Sequence, residues 1–167
     1  KKGMVAMKGS YHGKSFGALS LTFNPKYRKA FAPLVEKVSF ASFGDMDSLR
    51  SVIDEDTALI ILEPIQGESG IIVAPDGFLQ EVRNLCNEKG ILLIFDEIQA
   101  GLGRTGRLWA GEHWNTTPDI LCLAKGIAGG VPMGATLVRP DILAAISKGE
   151  HSSTFGGNPI SCAAGIA

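Results

Sequence analysis

Residues 57–98 read TALIILEPIQGESGIIVAPDGFLQEVRNLCNEKGILLIFDEI and contain two short apolar runs on either side of an amphipathic segment. The runs at 57–64 and 91–98 are rich in β-branched residues and do not alternate with polar ones, which is typical of strands buried on both faces of a parallel sheet. In the segment 77–90, apolar residues recur at helical spacing and Gly90 is a helix stop signal. This order of strand, helix and strand predicts a right-handed βαβ unit, and therefore an α/β fold around a mostly parallel sheet with flanking helices.

The same kinds of pattern extend the prediction outward in both directions. A third apolar run, ILCLAKGI (120–127), predicts another buried strand. Further strands are expected at GMVAMKG (3–9), VEKVSFASF (35–43) and ATLVRP (135–140), and further helices at DMDSLRSVI (45–53) with Asp45 as N-cap, DILAAISKG (141–149) and SCAAGIA (161–167). No internal repeat or Pro/Ser-rich linker divides the chain, so residues 1–167 are interpreted as one continuous α/β layer. Because the first strand starts at once and the last helix stops after two turns, we expect the chain to be part of a longer protein.

Composition and charge exclude several classes of function. Sixteen Lys and Arg residues against seventeen Asp and Glu residues leave a net charge of −1, which predicts neither a nucleic-acid partner nor binding to an acidic membrane surface. No apolar run approaches the ~18–20 residues of a membrane span, and the start of the chain lacks the apolar run of a signal peptide. The three cysteines form no C-x-x-C pair, so we expect reduced thiols, no metal site and a cytoplasmic location.

Three polar side chains follow the three apolar runs where the strands should end: Glu63, Asp96 and Lys125. They lie about 30 residues apart along the chain, which is the length of one βαβ unit. Ligands of open parallel sheets bind beyond the carboxyl ends of the strands, so the three side chains are expected to converge at one edge. Solvated strand ends are the alternative, and residue type alone leaves it open.

A lysine and an aspartate at such an edge suit the cofactor pyridoxal phosphate. A lysine whose pKa is lowered by its surroundings forms a Schiff base with an aldehyde, and pyridoxal phosphate is the usual aldehyde cofactor. The cofactor also needs a carboxylate that holds the proton on its pyridinium nitrogen. Strand alternation directs Asp96 and Ile98 to one face and Glu97 to the other, so Asp96 can reach the ring nitrogen while Ile98 packs on the ring.

Three polar loops that contain glycine accompany these strand ends. EPIQGESGI (63–71) offers Glu68 as a charged gate to a pocket, and KGSYHGKSFG (8–17) offers Tyr11 as an aromatic platform for a cofactor ring. HSSTFGGNP (151–159) combines hydroxyl groups and glycines that suit a phosphate. Each loop taken alone is also typical of an ordinary surface turn or, for Tyr11, of a core aromatic residue.

GLGRTG (101–106) satisfies G-x-G-x-x-G, the dinucleotide-binding pattern, and raises a nucleotide-binding domain as an alternative function. That pattern should leave a strand and open a helix. Here the preceding strand ends near Asp96, and Gly111 and Pro118 interrupt the following segment before a regular helix can form. The context therefore favours a turn over a dinucleotide site.

Five motifs, taken in order, resemble one protein family. They are SYHGKSFGALSLT (10–22), EPIQGESGI (63–71), DEIQAGLGRTG (96–106), LAKGIAGGVPMGA (123–135) and HSSTFGGNP (151–159). In combination they resemble the class III, or ω-amino-group, pyridoxal-phosphate aminotransferases of fold type I. Within that family the chain is most similar to the acetylornithine aminotransferase branch, which includes enzymes that act on carrier-protein-bound lysine precursors. It is less similar to the ornithine and 4-aminobutyrate aminotransferases.

The resemblance implies a role for each matching residue. Lys125 would bind the cofactor as a Schiff base and carry a proton between substrate and cofactor carbons, and Asp96 would pair with the pyridinium nitrogen. The other implied cofactor-binding residues are Tyr11, His12, Ile98 and Gln99, together with Ser153 and Thr154, which would bind the cofactor phosphate of the neighbouring subunit in a homodimer. Glu68 and Lys14 would bind substrate, with Glu68 as the glutamate that lets one pocket accept both the amino donor and 2-oxoglutarate.

Two departures from the family pattern matter. Family members usually carry Arg after the His-Gly pair, whereas this chain has Lys14, which keeps the charge but loses the bidentate fork for a carboxylate. The family's upstream phosphate-binding turn and its C-terminal domain, with a carboxylate-binding arginine, are not among these 167 residues. The resemblance therefore implies that residues 1–167 are part of the large cofactor-binding domain.

The activity that the resemblance implies is transamination. The terminal amino group of an acetylornithine- or ornithine-like donor would pass to 2-oxoglutarate and give a semialdehyde and glutamate, as in arginine or lysine biosynthesis. A 4-aminobutyrate-type aminotransferase and a truncated, inactive fragment are the alternatives.

Overall fold

A six-stranded, mostly parallel sheet forms the centre of the computed structural model, which describes all of residues 1–167. In chain order the strands are β1 (Gly3–Met7), β2 (Val38–Ala41), β3 (Thr57–Leu62), β4 (Ile65–Gln66), β5 (Ile72–Val73), β6 (Leu92–Asp96), β7 (Ile120–Leu123) and β8 (Ala135–Val138). The central sheet has the order β2-β1-β3-β6-β7-β8, and only β8 is antiparallel to its neighbour. The predicted α/β class and the six predicted strands are confirmed.

Short helices connect and cover the sheet. The α-helices are α1 (Phe16–Leu21), α2 (Pro25–Arg28), α3 (Met46–Val52), α4 (Phe78–Lys89), α5 (Pro140–Leu143) and α6 (Pro159–Ile166), and the 3-10 helices are Lys29–Phe31, Ala110–Trp114 and Lys125–Ala128. The helix predicted at 77–90 is α4, and Gly90 ends it with a left-handed φ of 61°. Asp45 caps α3 as predicted, because its carboxylate accepts a hydrogen bond from the Ser48 N–H at 3.0 Å. No helix has both the length and the apolar character that crossing a membrane requires.

Three local predictions differ from the structure. The helix expected at 141–149 is only the single turn α5, because Leu143 and Ile146 are exposed and no packed face supports a longer helix. The last helix begins at Pro159 rather than Ser161, since the Asn158 side chain caps it. The elements α1, α2 and the small antiparallel hairpin of β4 and β5 were not predicted, and each of them has only two to six residues.

The helix α4 and the sheet share one apolar core. The α4 residues that are buried in it are Phe78, Leu79, Val82, Leu85 and Cys86. They pack with fully buried side chains of the neighbouring strands, such as Ile60, Leu62 and Phe95. Burying a large apolar side chain contributes ~1.5–3 kcal/mol to folding. The βαβ unit over 57–98 is therefore a rigid platform for whatever lies at its edge.

The parallel register of β3, β6 and β7 determines which residues meet at the carboxyl edge of the sheet. Leu62 pairs with Phe95, so the next residues on the two strands, Glu63 and Asp96, come together. Asp96 is also the last β6 residue that pairs with β7, and Lys125 follows the end of β7. The convergence of Glu63, Asp96 and Lys125, which was expected from their spacing, is a consequence of this register.

At the opposite edge of the sheet, Asp119 holds the start of β7 in place. Its buried carboxylate accepts hydrogen bonds from the Leu93 N–H at 2.7 Å, from Arg83 at 2.9 Å and from Arg139 at 2.6 Å. These donors belong to β6, to α4 and to the residue that follows β8. One carboxylate therefore aligns the two strands that carry Asp96 and Lys125.

Candidate active site

Three buried polar side chains meet at the carboxyl edge of the sheet: His12, Glu63 and Asp96. Each is less than one-tenth exposed, and one ligand atom from each lies within 4.8 Å of the others. His12 reaches the cluster from the loop after β1, where its backbone N–H donates to Thr22 Oγ1 at 2.9 Å. Buried titratable groups are costly unless they are partnered, and they concentrate at functional sites. The cluster is therefore the natural centre of a candidate site.

The Asp96 carboxylate is fixed by two donors. His12 Nδ1 lies 2.8 Å from Oδ2, and the Ile98 N–H donates to Oδ1 at 3.1 Å. The side chains of His12 and Asp96 are 2% and 6% exposed, so this is a fully buried pair. If Asp96 carries its negative charge, Nδ1 must be the protonated nitrogen of the imidazole ring. The pair then presents one oriented carboxylate at the end of β6.

Glu63 lies against this pair, and the pKa of its carboxyl group is raised. Burial, and next the negative charge of Asp96, raise the pKa of its carboxyl group to about 8. The backbone N–H groups of Tyr11 and Gly67 and the Lys125 ammonium act in the opposite direction but are outweighed. Its Oε2 atom is buried and has no hydrogen-bond partner, as is also true of His12 Nε2.

Lys125 follows β7 in a strained conformation and lines a cavity of about 510 Å³. Its φ of 49° is in the left-handed region, which side chains other than glycine rarely adopt. Ile71 and Leu102 line the same cavity and have φ values of 58° and 57°. Three of the five non-glycine residues with positive φ therefore surround one cavity, and such strain is characteristic of functional sites.

Ile98 and Gln99 line the Lys125 cavity from the loop after β6. Gln99 lies directly against the backbone of Gly67, because a Cβ atom built on Gly67 would be 1.4 Å from Gln99 Oε1. Any residue other than glycine at position 67 would therefore clash with the Gln99 amide in its observed position. This close approach explains part of the glycine content of the 63–71 loop.

A second cavity, of about 370 Å³, lies between the segment after β1 and the turn that joins β4 to β5. It is lined by Tyr11, Tyr27 and Glu68, among others. The rings of Tyr11 and Tyr27 meet edge to face at 5.7 Å, and Lys14 Nζ lies 4.7 Å from the centre of the Tyr27 ring. The exposed Lys14 ammonium is therefore held at the rim by a cation–π contact.

Two side-chain hydrogen bonds join the loops that form this second cavity. Gln66 donates to the Lys8 carbonyl at 3.0 Å, and the Ser69 hydroxyl donates to the Gly9 carbonyl. Gly9 has a φ of 84°, and a Cβ atom there would approach Ser69 Oγ to 2.7 Å. The loops that carry Tyr11 and Glu68 are therefore held together.

The GLGRTG segment forms turns rather than the start of a helix. Glu97 points away from Asp96, and its two oxygens accept hydrogen bonds from the Ala110 and Gly111 N–H groups at 2.6 and 2.9 Å. Gly101 packs against Glu97, where a Cβ atom would lie 2.8 Å from the Glu97 carbonyl oxygen. These glycines close a loop onto β6, which gives the dinucleotide-binding alternative no structural support.

Ser153 and Thr154 are exposed and line neither of the two cavities. The Ser153 hydroxyl accepts a hydrogen bond from the Gly156 N–H at 3.1 Å, which is a local turn contact. Within one copy of the chain these two residues are thus not brought together with Asp96 and Lys125.

Several residues of the site were not singled out as site residues from the sequence. Arg104 and Thr105 line the Lys125 cavity, although their segment attracted attention only for its glycines. Ile71 and Leu102 line it with backbone strain that has no sequence signal. Glu63 was noted as a strand end, but its partnership with His12 depends on a contact across 51 residues of chain.

The ring end of pyridoxal phosphate fits these residues. Asp96 accepts two hydrogen bonds from the protein, and a carboxylate can accept about four, so it has room for a protonated ring nitrogen. The unpartnered His12 Nε2 adds a buried polar atom at the same place. Lys125 supplies a primary amine on a cavity that also contains an apolar surface, Ile98. The donor set is therefore appropriate for this cofactor.

Comparisons with known proteins show which proteins this chain is similar to. The family described as "Aminotransferase class-III" matches residues 1–167. Acetylornithine aminotransferase of Methanopyrus kandleri is 51% identical over 160 residues, which cover 96% of this chain and 41% of that protein. Ornithine aminotransferase 1 of Staphylococcus saprophyticus is 49% identical over 165 residues, covering 98% and 42% respectively. The chain thus spans about two fifths of the length of the curated relatives it matches.

Solved structures show the same architecture. The ornithine aminotransferase of Toxoplasma gondii, described as having partial occupancy of PLP at its active site, superimposes with a TM-score of 0.94 at 37% identity. The match covers 98% of this chain and 39% of that one. The fold is therefore that of the fold type I aminotransferases.

Replacing His12 tests the buried pair. We expect His12→Leu to lower the free energy of unfolding by about 3 kcal/mol, because it leaves the Asp96 carboxylate buried beside an apolar side chain. His12→Asn keeps an amide donor and should lose less. Urea unfolding measures both, with the exposed His113→Leu as the matched control. Equal stability of His12→Leu and the unmodified protein would contradict the role of His12 as partner of Asp96.

Proposed function

The chain belongs to the aminotransferase class-III family, and from that premise we propose that it is the core of an enzyme that transfers amino groups with pyridoxal phosphate. The proposed reaction moves the terminal amino group of an acetylornithine- or ornithine-like donor to 2-oxoglutarate and yields a semialdehyde and glutamate. The observation that carries the proposal is the meeting of the His12–Asp96 pair and Lys125 at the ends of adjacent parallel strands. The names of the relatives support the choice of donor.

Asp96 and its neighbours would hold the cofactor ring. When bound, pyridoxal phosphate supplies an aldehyde that reacts with amines and a ring that withdraws electrons. Asp96 would hold the proton on the ring nitrogen, and His12 would keep its carboxylate oriented. The family resemblance supports Tyr11 and Ile98 as the residues on the two faces of the ring, with Gln99 near its phenolic oxygen.

Lys125 would act as both the attachment point and the proton carrier. Lys125 lines the cavity, and its backbone belongs to the 3-10 helix Lys125–Ala128. As a free amine, Lys125 would accept a proton from the donor carbon and deliver it to a carbon of the cofactor. The left-handed φ of Lys125 is backbone strain of the kind that clusters at functional sites, which supports this role.

Glu68 and Lys14 would bind the substrates. Both are exposed, Glu68 on the second cavity and Lys14 at its rim over Tyr27. Lys14 offers a positive charge for the carboxylate of an ornithine-like donor, although without the fork of an arginine. Glu68, by analogy with the family, would pair with an arginine and so let one pocket accept both the donor and 2-oxoglutarate.

A second copy of the chain would complete the site. Ser153 and Thr154 are exposed, and Phe155 and Ile160 beside them are 82% and 74% exposed. Exposed apolar side chains of this kind are typical of interaction surfaces. We infer a homodimer in which Ser153 and Thr154 bind the cofactor phosphate of the neighbouring subunit.

The proposed enzyme is larger than this chain. Residues 1–167 would be part of its large cofactor-binding domain, since they span about two fifths of the curated relatives. The free cysteines support a cytoplasmic enzyme, and the donor class supports a role in arginine or lysine biosynthesis.

Lys125→Ala should abolish covalent attachment of the cofactor. We expect borohydride reduction of the full-length protein with pyridoxal phosphate to label Lys125, because only a Schiff-base amine is trapped in this way. Peptide mass mapping locates the label, and Lys148→Ala on an exposed segment is the control. Undiminished labelling of Lys125→Ala would assign the attachment to another lysine.

A panel of amines tests the proposed donor. The full-length protein should transfer amino groups to 2-oxoglutarate with a higher kcat/KM from N-acetylornithine or ornithine than from 4-aminobutyrate. Glutamate formation is the readout. A preference for 4-aminobutyrate would identify it as the donor in place of the proposed one. If the protein binds the cofactor but uses none of the three amines, this substrate class is rejected.

Mixed subunits test the shared site. Lys125→Ala and Thr154→Ala subunits, each impaired alone, should recover activity on mixing at about a quarter of the sites, because half of randomly formed dimers are mixed and each has one intact site. Activity assays before and after subunit exchange measure this. Full activity of Thr154→Ala alone, or no recovery on mixing, would reject the contribution of Thr154 across the interface.

A further inference from the structure

The His12, Glu63 and Asp96 cluster contains one more carboxyl group than the proposed chemistry uses. Asp96 would face the ring nitrogen, whereas that chemistry requires no second carboxyl group such as Glu63. Both carboxyl groups are less than one-tenth exposed and lie in one cluster with His12, within 4.8 Å. Two negative charges this close in a buried site repel each other strongly, so the pair is expected to retain a proton.

The hydrogen bonds of the cluster decide which carboxyl group keeps that proton. Asp96 has a donor on each oxygen, His12 Nδ1 on Oδ2 and the Ile98 N–H on Oδ1, and both donors stabilise its ionised form. The backbone N–H groups of Tyr11 and Gly67 also favour the ionised form of Glu63, but burial and the charge of Asp96 outweigh them, and the buried Oε2 of Glu63 has no hydrogen-bond partner. The negative charge therefore belongs on Asp96 and the proton on Glu63.

We propose that Glu63 is a positioning residue, a proton-bearing carboxyl group that packs against the His12–Asp96 pair and leaves Asp96 as the single negative charge opposite the cofactor ring. This inference rests on the proposed function and deepens it. Asp96 would touch the cofactor, and Glu63 would act through Asp96. The negative charge on Asp96, which would hold the ring proton, would then depend on His12 and Glu63 as well as on Asp96 itself.

The surroundings of Glu63 agree with a neutral carboxyl group. The charged and titratable groups that face it are Asp96 from β6, His12 from the loop after β1 and Lys125 from the segment after β7. Burial and Asp96 together raise its pKa to about 8, despite the opposing effect of Lys125. A protonated Glu63 also brings a donor to a cluster in which His12 Nε2, an acceptor in the neutral ring, has no partner.

The raised pKa predicts how stability depends on pH. The pKa of a glutamate in the unfolded chain is near 4.5, whereas burial and the charge of Asp96 raise the pKa of Glu63 in the folded protein to about 8. Between these values the folded state binds more protons than the unfolded state, so stability falls as pH rises. Above about pH 8 both states are ionised at this residue, and its contribution no longer changes.

Glu63→Gln tests the proton directly, because glutamine has nearly the shape of the protonated acid and cannot ionise. Urea unfolding of the full-length protein is measured from pH 5 to pH 9. The midpoint of the unmodified protein should fall relative to that of Glu63→Gln between about pH 5 and pH 8 and then run parallel to it. Glu55→Gln, on an exposed turn, should show no such divergence. Parallel curves for Glu63→Gln over the whole range would overturn the proposal.

Cofactor affinity provides the second readout and separates the two hypotheses. At pH 6.5, Glu63→Gln should bind pyridoxal phosphate within about threefold of the unmodified protein, whereas Glu63→Ala should lose about tenfold, since it leaves the cluster without its third member. Equal losses in both variants would reject the positioning role. If no variant and no unmodified protein binds the cofactor while the urea curves still diverge, the proposed function fails and the protonated Glu63 stands.

Discussion

The parallel register between β3 and β6 is the constraint on which the rest of the site depends. Because Leu62 pairs with Phe95, the two residues that follow them are forced into the same place, and both are carboxylic acids. A shift of one residue would turn Asp96 toward the opposite face, where Glu97 now binds the backbone of residues 110 and 111. The core beneath α4 holds this register, and the Asp119 hydrogen bonds at the other edge join β6 to α4 and to the start of β7.

The site concentrates features that oppose folding. It contains three buried titratable groups, two polar atoms without partners and three non-glycine residues with left-handed backbone conformations. Each of these costs free energy that the apolar core must offset. The arrangement is consistent with a site whose partners arrive from outside the chain, and the proposed cofactor is of that kind. If stability alone mattered, water or apolar side chains would occupy this place instead of buried titratable groups.

The predictions from sequence were correct where an apolar pattern repeats over many residues. They failed where only a few residues determine whether an element forms. The βαβ unit over 57–98 was predicted correctly because apolar burial repeats along 42 residues. The hairpin of β4 and β5 has two residues per strand, too few for any periodicity to show. The helix expected at 141–149 failed because its apolar residues point into no partner surface within this chain.

By itself the sequence determined the α/β class, the places along the chain where the strands end and the polar residues at those ends. It could do so because the pattern of apolar residues and the length of each strand are local properties. The strand ends singled out Glu63, Asp96 and Lys125, and the family resemblance then implied roles for Asp96, Lys125 and the loop residues. Only the tertiary structure decided that His12 pairs with Asp96, that Glu63 joins them and that Gly67 must be glycine beside Gln99. These contacts join residues from 32 to 84 positions apart, and distances of that kind are determined by packing and register, which no local pattern encodes.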